Sequence, residues 1–303
     1  MSWWTRSRSR AQTHGRNHMD IGVGLPTTVP GADGRQLVEF ARRAEHNGFH
    51  TLAVIDRLVY DSYDSIVALA AAAAATERIT LATTILLAGY RPSVAELGKQ
   101  LASVDRLSGG RLVVGVAAGG REDDFQATGV PYHTRGRRLD QLLTELQRVW
   151  AGQGEVPGIG PRPVNGQIPV WVGGHSPAAL SRAARHGIGW ISPGGSAAAY
   201  PELVAKAKAV FAEEGRTDVP RMAAMTYVAL GDDRGQRAAQ YLLDYYSYLG
   251  PKAQFLAGAV IADEARLRGT IDGYAAAGCD ELLLFPCTAD VGQLDLIAKV
   301  ALP

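Results

Sequence analysis

From residue 19 onward the apolar positions alternate between two rhythms. Short runs rich in Val, Ile, Leu and Thr cover residues 20–25, 51–55, 79–86, 112–117, 169–173, 189–193, 222–230 and 281–285. Such runs are expected as buried strands. Between them lie longer stretches with helical spacing. The clearest places Leu139, Leu142, Leu143, Leu146, Val149 and Trp150 on one face and Arg138, Glu145 and Arg148 elsewhere, the stripe of a helix lying on a sheet. Another carries Leu37, Phe40, Ala41 and Ala44 inward and stops near Gly48, because glycine ends helices in the left-handed conformation without steric penalty. The alanine run from Ala68 to Ala75 reads as a closely packed helix.

Strand and helix alternating eight times predict parallel strands with crossover helices and an α/β fold, a (β/α)8 TIM barrel in one domain over residues 20–303. An open doubly wound sheet is the competing arrangement, but no G-x-G-x-x-G follows the first strand. The Gly- and Pro-rich stretch 152–167 is expected as a surface excursion before the fifth strand. Residues 1–19, with Arg6, Arg8, Arg10 and Arg16 among polar neighbours, read as a disordered basic leader.

Composition narrows the class of partner. The 303 residues carry 31 basic and 30 acidic side chains, so no broad field favours nucleic acid or an anionic membrane. A soluble, cytoplasmic protein acting on a small-molecule substrate is the expectation. Cys279 and Cys287 show no metal or redox spacing and are expected as reduced, partly buried thiols. The seven histidines form no ligand pattern, so no metal site is expected. Neither a G-x-S-x-G elbow nor a phosphate-binding P-loop is present.

In a barrel of this kind the chemistry gathers at the carboxyl ends of the strands. The fifth strand runs into Gly173-Gly174-His175-Ser176-Pro177. Glycine lets the backbone approach a ligand, serine caps a helix, and the free amides of a helix start favour phosphate. A capped helix after a tight turn explains the same residues without a ligand. The sixth strand ends similarly in Gly194-Gly195-Ser196, so two adjacent loops could grip one phosphate. The second strand ends in Asp56-Arg57, which either serve a substrate or shape the loop as an ion pair. After the fourth strand, Ala117-Ala-Gly-Gly-Arg-Glu-Asp-Asp124 leaves room for a flat ring, while Asp123 and Asp124 suit a helix start.

The segments Ala44-Glu-His-Asn-Gly-Phe49, Ala75-Thr-Glu-Arg-Ile-Thr-Leu81, Leu101-Ala-Ser-Val-Asp-Arg-Leu-Ser-Gly-Gly-Arg111, Gly129-Val-Pro131, Arg135-Gly-Arg137 and Pro169-Val-Trp-Val-Gly-Gly174, with Asp56, are together specific. Through them the chain resembles the bacterial luciferase-like family of flavin and deazaflavin oxidoreductases, over about residues 20–302. The resemblance implies a barrel enzyme that uses reduced FMN with oxygen as a monooxygenase. Its alternatives are hydride transfer with coenzyme F420, or a non-catalytic flavin-binding protein. It implies that Gly173, Gly174, His175, Ser176, Gly194, Gly195 and Ser196 hold the cofactor phosphate. Thr83 and Thr84 would lie against the ring system, with a non-prolyl cis bond at Thr84-Ile85. A flavin reductase as supplier of reduced cofactor and a homodimer are further implied partners. Many relatives have Asp-His at the end of the second strand; this chain has Asp56-Arg57, and guanidinium cannot exchange a proton near neutral pH as imidazole can.

Overall fold

The computed structural model describes residues 19–192, 194, 196–232 and 234–303; the expected leader, apart from Met19, lies outside them, as does Gly195. Eight parallel strands close into a barrel in sequential order: β1 (Asp20–Gly24), β2 (Thr51–Val54), β3 (Thr80–Leu87), β4 (Leu112–Ala117), β5 (Val170–Gly173), β6 (Gly189–Ser192), β7 (Arg221–Val228) and β8 (Glu281–Pro286). Pairing of β8 with β1, from Asp20 opposite Glu281 to Val23 opposite Leu284, closes the ring and excludes the open sheet. All eight strands lie where the apolar runs placed them, with ends shifted by one or two residues.

Eleven helices are described. In chain order they are α1 (Gly34–Asn47), α2 (Ser65–Ala75), α3 (Val94–Leu107), α4 (Glu122–Thr128), α5 (Arg135–Trp150), α6 (Pro177–His186), α7 (Tyr200–Glu213), α8 (Arg234–Tyr245), α9 (Ala253–Gly258), α10 (Glu264–Ala276) and α11 (Gly292–Ala301). Helix α1 begins in a capping box, Asp33 accepting from the amides of Arg35 and Gln36 while Gln36 reaches back, and ends at Gly48 with φ 88°. In α5 the six predicted apolar residues are all buried, each contributing about 1.5–3 kcal/mol through removal from water. The stretch between α5 and β5 forms no helix or strand, as expected of an excursion.

Strand periodicity separates two cores. Outward-facing residues such as Val54, Leu81, Val114, Val172, Trp190 and Leu284 pack under the helices. Inward-facing Ala53, Ala82, Val113, Trp171, Ile191, Ala223, Met225, Leu283 and Phe285 fill the barrel. Size is matched across that interior: Gly24 leaves the space that the Phe285 ring occupies, and Gly173 leaves the space that Ile85 occupies. A side chain at either glycine would drive into its neighbour.

Three of the segments that carried the family resemblance, 44–49, 75–81 and 101–111, interlock at the amino-terminal end of the barrel. Arg111, just before β4, donates through Nε to the Ser108 carbonyl at 2.7 Å. Its Nη1 reaches the Ile79 carbonyl at 2.7 Å and Thr76 Oγ1 at 3.1 Å, and its Nη2 reaches the carbonyls of Thr76 at 2.8 Å and Ala73 at 3.2 Å. It thereby ties the carboxyl end of α2 to β3. Glu45 of α1 accepts from the amides of Glu77, Arg78 and Ile79. These motifs specify the fold, far from the strand ends where chemistry is expected.

Candidate functional site at the carboxyl ends of the strands

Asp56 stands directly after β2, 4% exposed. Its carboxylate accepts from Ser65 Oγ at 2.8 Å, the Leu87 amide at 3.0 Å, Tyr90 Oη at 3.0 Å and Arg91 Nη2 at 3.2 Å. With both oxygens engaged, it fixes the exit of β3 against the start of α2. Arg57 points differently: Nη1 donates to the Tyr245 carbonyl at 3.0 Å, Nη2 pairs with Asp123 at 3.3 Å, and the guanidinium carbon lies 4.7 Å from the centre of the Tyr60 ring. The two neighbours form no pair with each other; each is bound to partners of its own.

At the top of β3 the bond Thr84-Ile85 is cis, as expected from the resemblance, and the pairing of β3 with β4 shifts between Thr83 and Leu86. Thr83 is fully buried and donates its hydroxyl to the Gly115 carbonyl at 2.8 Å. Thr84 is 1% exposed, and its hydroxyl has no partner. A buried hydroxyl without a hydrogen bond is disfavoured by about 1–3 kcal/mol, so Thr84 is the residue of this pair left free to meet a ligand. Because Ile85 packs onto Gly173, the top of β3 adjoins the loop after β5.

That loop has the predicted form. Gly174 adopts φ 124°, and a Cβ there would sit 2.8 Å from that of Ala179. Ser176 caps α6, its Oγ accepting from the Ala179 amide at 3.2 Å, and Pro177 opens the helix. Pro177 has no N–H and the Ala179 amide is engaged by Ser176, so the hydroxyl proton of Ser176 and the Ala178 amide are what the helix start leaves for an anion. His175 is exposed; the desolvation its loop imposes and the nearby Lys206 both lower its pKa, favouring the neutral ring. Gly194 has φ 98°, and Ser196 Oγ accepts from the Ala199 amide at 3.3 Å just before α7. The structure therefore sets Gly173, Gly174, His175 and Ser176 beside Gly194 and Ser196 on neighbouring strand ends.

A cluster of tyrosines covers the mouth, and the motif reading overlooked it. Tyr227 Oη and Tyr246 Oη meet at 2.7 Å, Tyr241 Oη and Thr28 Oγ1 at 2.6 Å, and Tyr60 donates to Asp244 at 2.6 Å. The signal was present as four tyrosines within residues 241–248, but aromatic residues at helical spacing read equally as core. Arg121, at the start of α4, is packed among these rings. Asp123 and Asp124 occupy the first turn of α4 as expected. Asp124 also accepts from the amides of Leu58 and Val59 at 3.1 and 2.7 Å, tying the loop after β2 to that after β4.

A crevice of about 490 Å³ lined by Asp105, Gln147, Asn165, Gln167 and His186 opens beside the starts of β4 and β5, remote from the carboxyl ends of the strands. Asp20, His50 and Glu281 bring possible ligand atoms together at the amino-terminal face. Arg221, however, donates to both carboxylates and takes the place a cation would need. Both cysteines are free and buried, and burial pushes each thiol up to about 12. Among the described residues no helix is long and apolar enough to cross a membrane.

Comparison with known proteins agrees with this geometry. A protein of Mycobacterium tuberculosis described as uncharacterized is 30% identical over 211 residues, 59% of this chain and 73% of that protein. An F420-dependent glucose-6-phosphate dehydrogenase of Intrasporangium calvum is 27% identical over 262 residues, 77% of this chain and 76% of that protein. The oxygenating constituent of 3,6-diketocamphane monooxygenase from Pseudomonas putida, solved with FMN, shares the fold. Its TM-score is 0.70 at 17% identity, over 93% of this chain and 97% of that one. The model of the luciferase-like monooxygenases matches residues 2–299, and the chain belongs to that family of oxidoreductases.

Proposed function

We propose that the chain binds a flavin-type cofactor by its phosphate between the loops after β5 and β6, with the ring system against Thr84, and that it uses coenzyme F420 to transfer a hydride to or from a small organic substrate. The observation that carries the site is the contact of Ile85 with Gly173, which sets the top of β3, where Thr84 has a buried hydroxyl without a partner, next to the end of β5. The residues fit such a group: Gly174 and Gly194 have backbone conformations that L side chains rarely adopt, Ser176 caps α6, and Ser196 closes the turn that leads into α7. The choice of cofactor rests on relatives, since dehydrogenases 26 and 27% identical are F420-dependent.

A bound deazaflavin would supply hydride chemistry, which no side chain here can. The chain's own part is to hold and shield. Asp56 acts as a positioning residue, since its four donors lock the exit of β3. Arg57 offers a fixed positive charge in place of a proton shuttle. The tyrosines exclude water from the barrel mouth. A monooxygenase using reduced FMN and oxygen is the second reading, favoured by the family to which the chain belongs.

Titration of the purified protein with the deazaflavin coenzyme and with reduced FMN separates the two. Saturable F420 binding with substrate-dependent bleaching and no oxygen uptake supports hydride transfer. Oxygen uptake with reduced FMN and substrate supports the second reading.

A further inference from the structure

Two arginines flank β4 and are treated in opposite ways. Arg111 before the strand and Arg121 after it are 7% and 5% exposed. Arg111 makes five hydrogen bonds of 2.7–3.2 Å. Arg121 has one long backbone contact, Nη2 to the Tyr245 carbonyl at 3.5 Å, and a hydrogen bond to the Tyr245 side chain, while its Nε has no partner. Among the described residues no carboxylate lies within 4 Å of it, whereas Arg57, Arg91 and Arg182, also largely buried, each have one. Asp124 is within electrostatic reach, but its Oδ1 is committed to the amides of Leu58 and Val59. A buried guanidinium left in this state is strongly disfavoured unless an anion completes it.

The free donors define what fits. Ring centres of Tyr248 and Tyr245 lie 4.5 and 4.6 Å from the guanidinium carbon, and that of Tyr246 at 5.9 Å. Tyrosine rings thus surround the cation, and among them the Tyr245 side chain is also a hydrogen-bonding partner. Nε, which has no partner, and Nη2, whose backbone contact is the long one to Tyr245, share one edge of the guanidinium, the geometry that takes both oxygens of a carboxylate. Gly120, the preceding residue, has open space where a side chain would stand, and Tyr248 is 42% exposed. The cofactor phosphate has its own loops after β5 and β6, so a cation after β4, next to Arg57 after β2, is placed for a different anion.

We infer that Arg121 binds the carboxylate of a planar substrate whose ring lies among Tyr60, Tyr245, Tyr246 and Tyr248. This assignment rests on chemistry taking place at the same barrel mouth. Its test is independent of turnover: titration of the full chain, without cofactor, with benzoate and with the neutral benzamide, followed by calorimetry. Benzoate binds saturably and benzamide at least about tenfold more weakly. R121Q lowers benzoate affinity about 10- to 100-fold, the loss expected for a charge-assisted pair, and leaves cofactor affinity unchanged. R121K keeps the charge but not the paired donors and falls about tenfold, which decides the matter if R121Q fails to fold. Equal binding of benzoate and benzamide, absence of saturation in the wild type, or either variant binding benzoate like the wild type overturns the inference. A Gly174→Val variant that keeps its cofactor affinity would instead count against the phosphate loops, without touching the benzoate result.

Discussion

The two ends of the barrel are built to different standards of polar satisfaction. At the amino-terminal face Arg221 bridges Asp20 at 2.5 Å and Glu281 at 2.8 Å, His50 lies 3.6 Å from Glu281, and Arg111 is saturated with carbonyls. At the carboxyl-terminal face Thr27 Oγ1, Thr84 Oγ1, Asp124 Oδ2 and the Nε atoms of Arg57 and Arg121 are buried without partners. Folding alone would remove such atoms, because each is costly in a dry interior. Their concentration at one end marks where the protein is organised around something other than its own stability.

The largest effect that could break this contrast comes from Arg111. Replacing it by Met strands four carbonyls and is expected to lower unfolding free energy by about 3–5 kcal/mol, read from urea denaturation, without altering cofactor affinity in protein that folds. Next is the acid limb. Burial alone would raise the Glu281 pKa, but Arg221 and His50 overcome it and hold the carboxyl down to about 2. A depressed carboxylate contributes stability above its unfolded pKa and loses it as pH falls, so about 3 kcal/mol should disappear between pH 4.5 and 2. Glu281→Gln should flatten that limb. His50 has the opposite sign: burial opposes its charge, yet Glu281 and Asp20 raise its pKa. Its contribution is complete below its unfolded value and fades as pH rises through the folded one.

The carboxyl-terminal face should respond in ligand binding more than in stability. Arg121→Met removes an uncompensated cation along with its ring contacts and should change stability by at most about 2 kcal/mol, well short of the Arg111 effect. An equal loss at both positions would erase the distinction between the ends. Smallest of all is Ser176→Ala, which removes the α6 cap for about 1 kcal/mol, measured by the same denaturation.

The fold was legible in the sequence because burial leaves a periodic trace. Leu139 through Trp150 repeat at helical spacing, and the strands read as continuous apolar runs because helices cover one face and the barrel interior the other. The turn and helix cap of the loop proposed to hold phosphate were legible through Gly174, Ser176 and Pro177, whose residue types are dictated by backbone geometry. Arg121 and the tyrosines were not, since their meaning lies in long-range packing. Tyr245 meets Arg121 across 124 residues, and no local pattern encodes that a guanidinium will find rings and no carboxylate. Other segments that carried the family resemblance, around Glu45 and Arg111, hold the opposite end of the barrel together.

Fluorescence titration of the deazaflavin coenzyme into wild type and Gly174→Val tests the central claim most directly. A Cβ at Gly174 is strained at φ 124° and approaches Ala179, so the phosphate grip is disturbed while the barrel end held by Arg111 and Arg221 is untouched. Saturable binding by the wild type, weakened at least about tenfold in variant protein that remains folded at the assay temperature although its denaturation midpoint falls, is the predicted result. Equal affinity in the two proteins would contradict the placement of the cofactor at these strand ends.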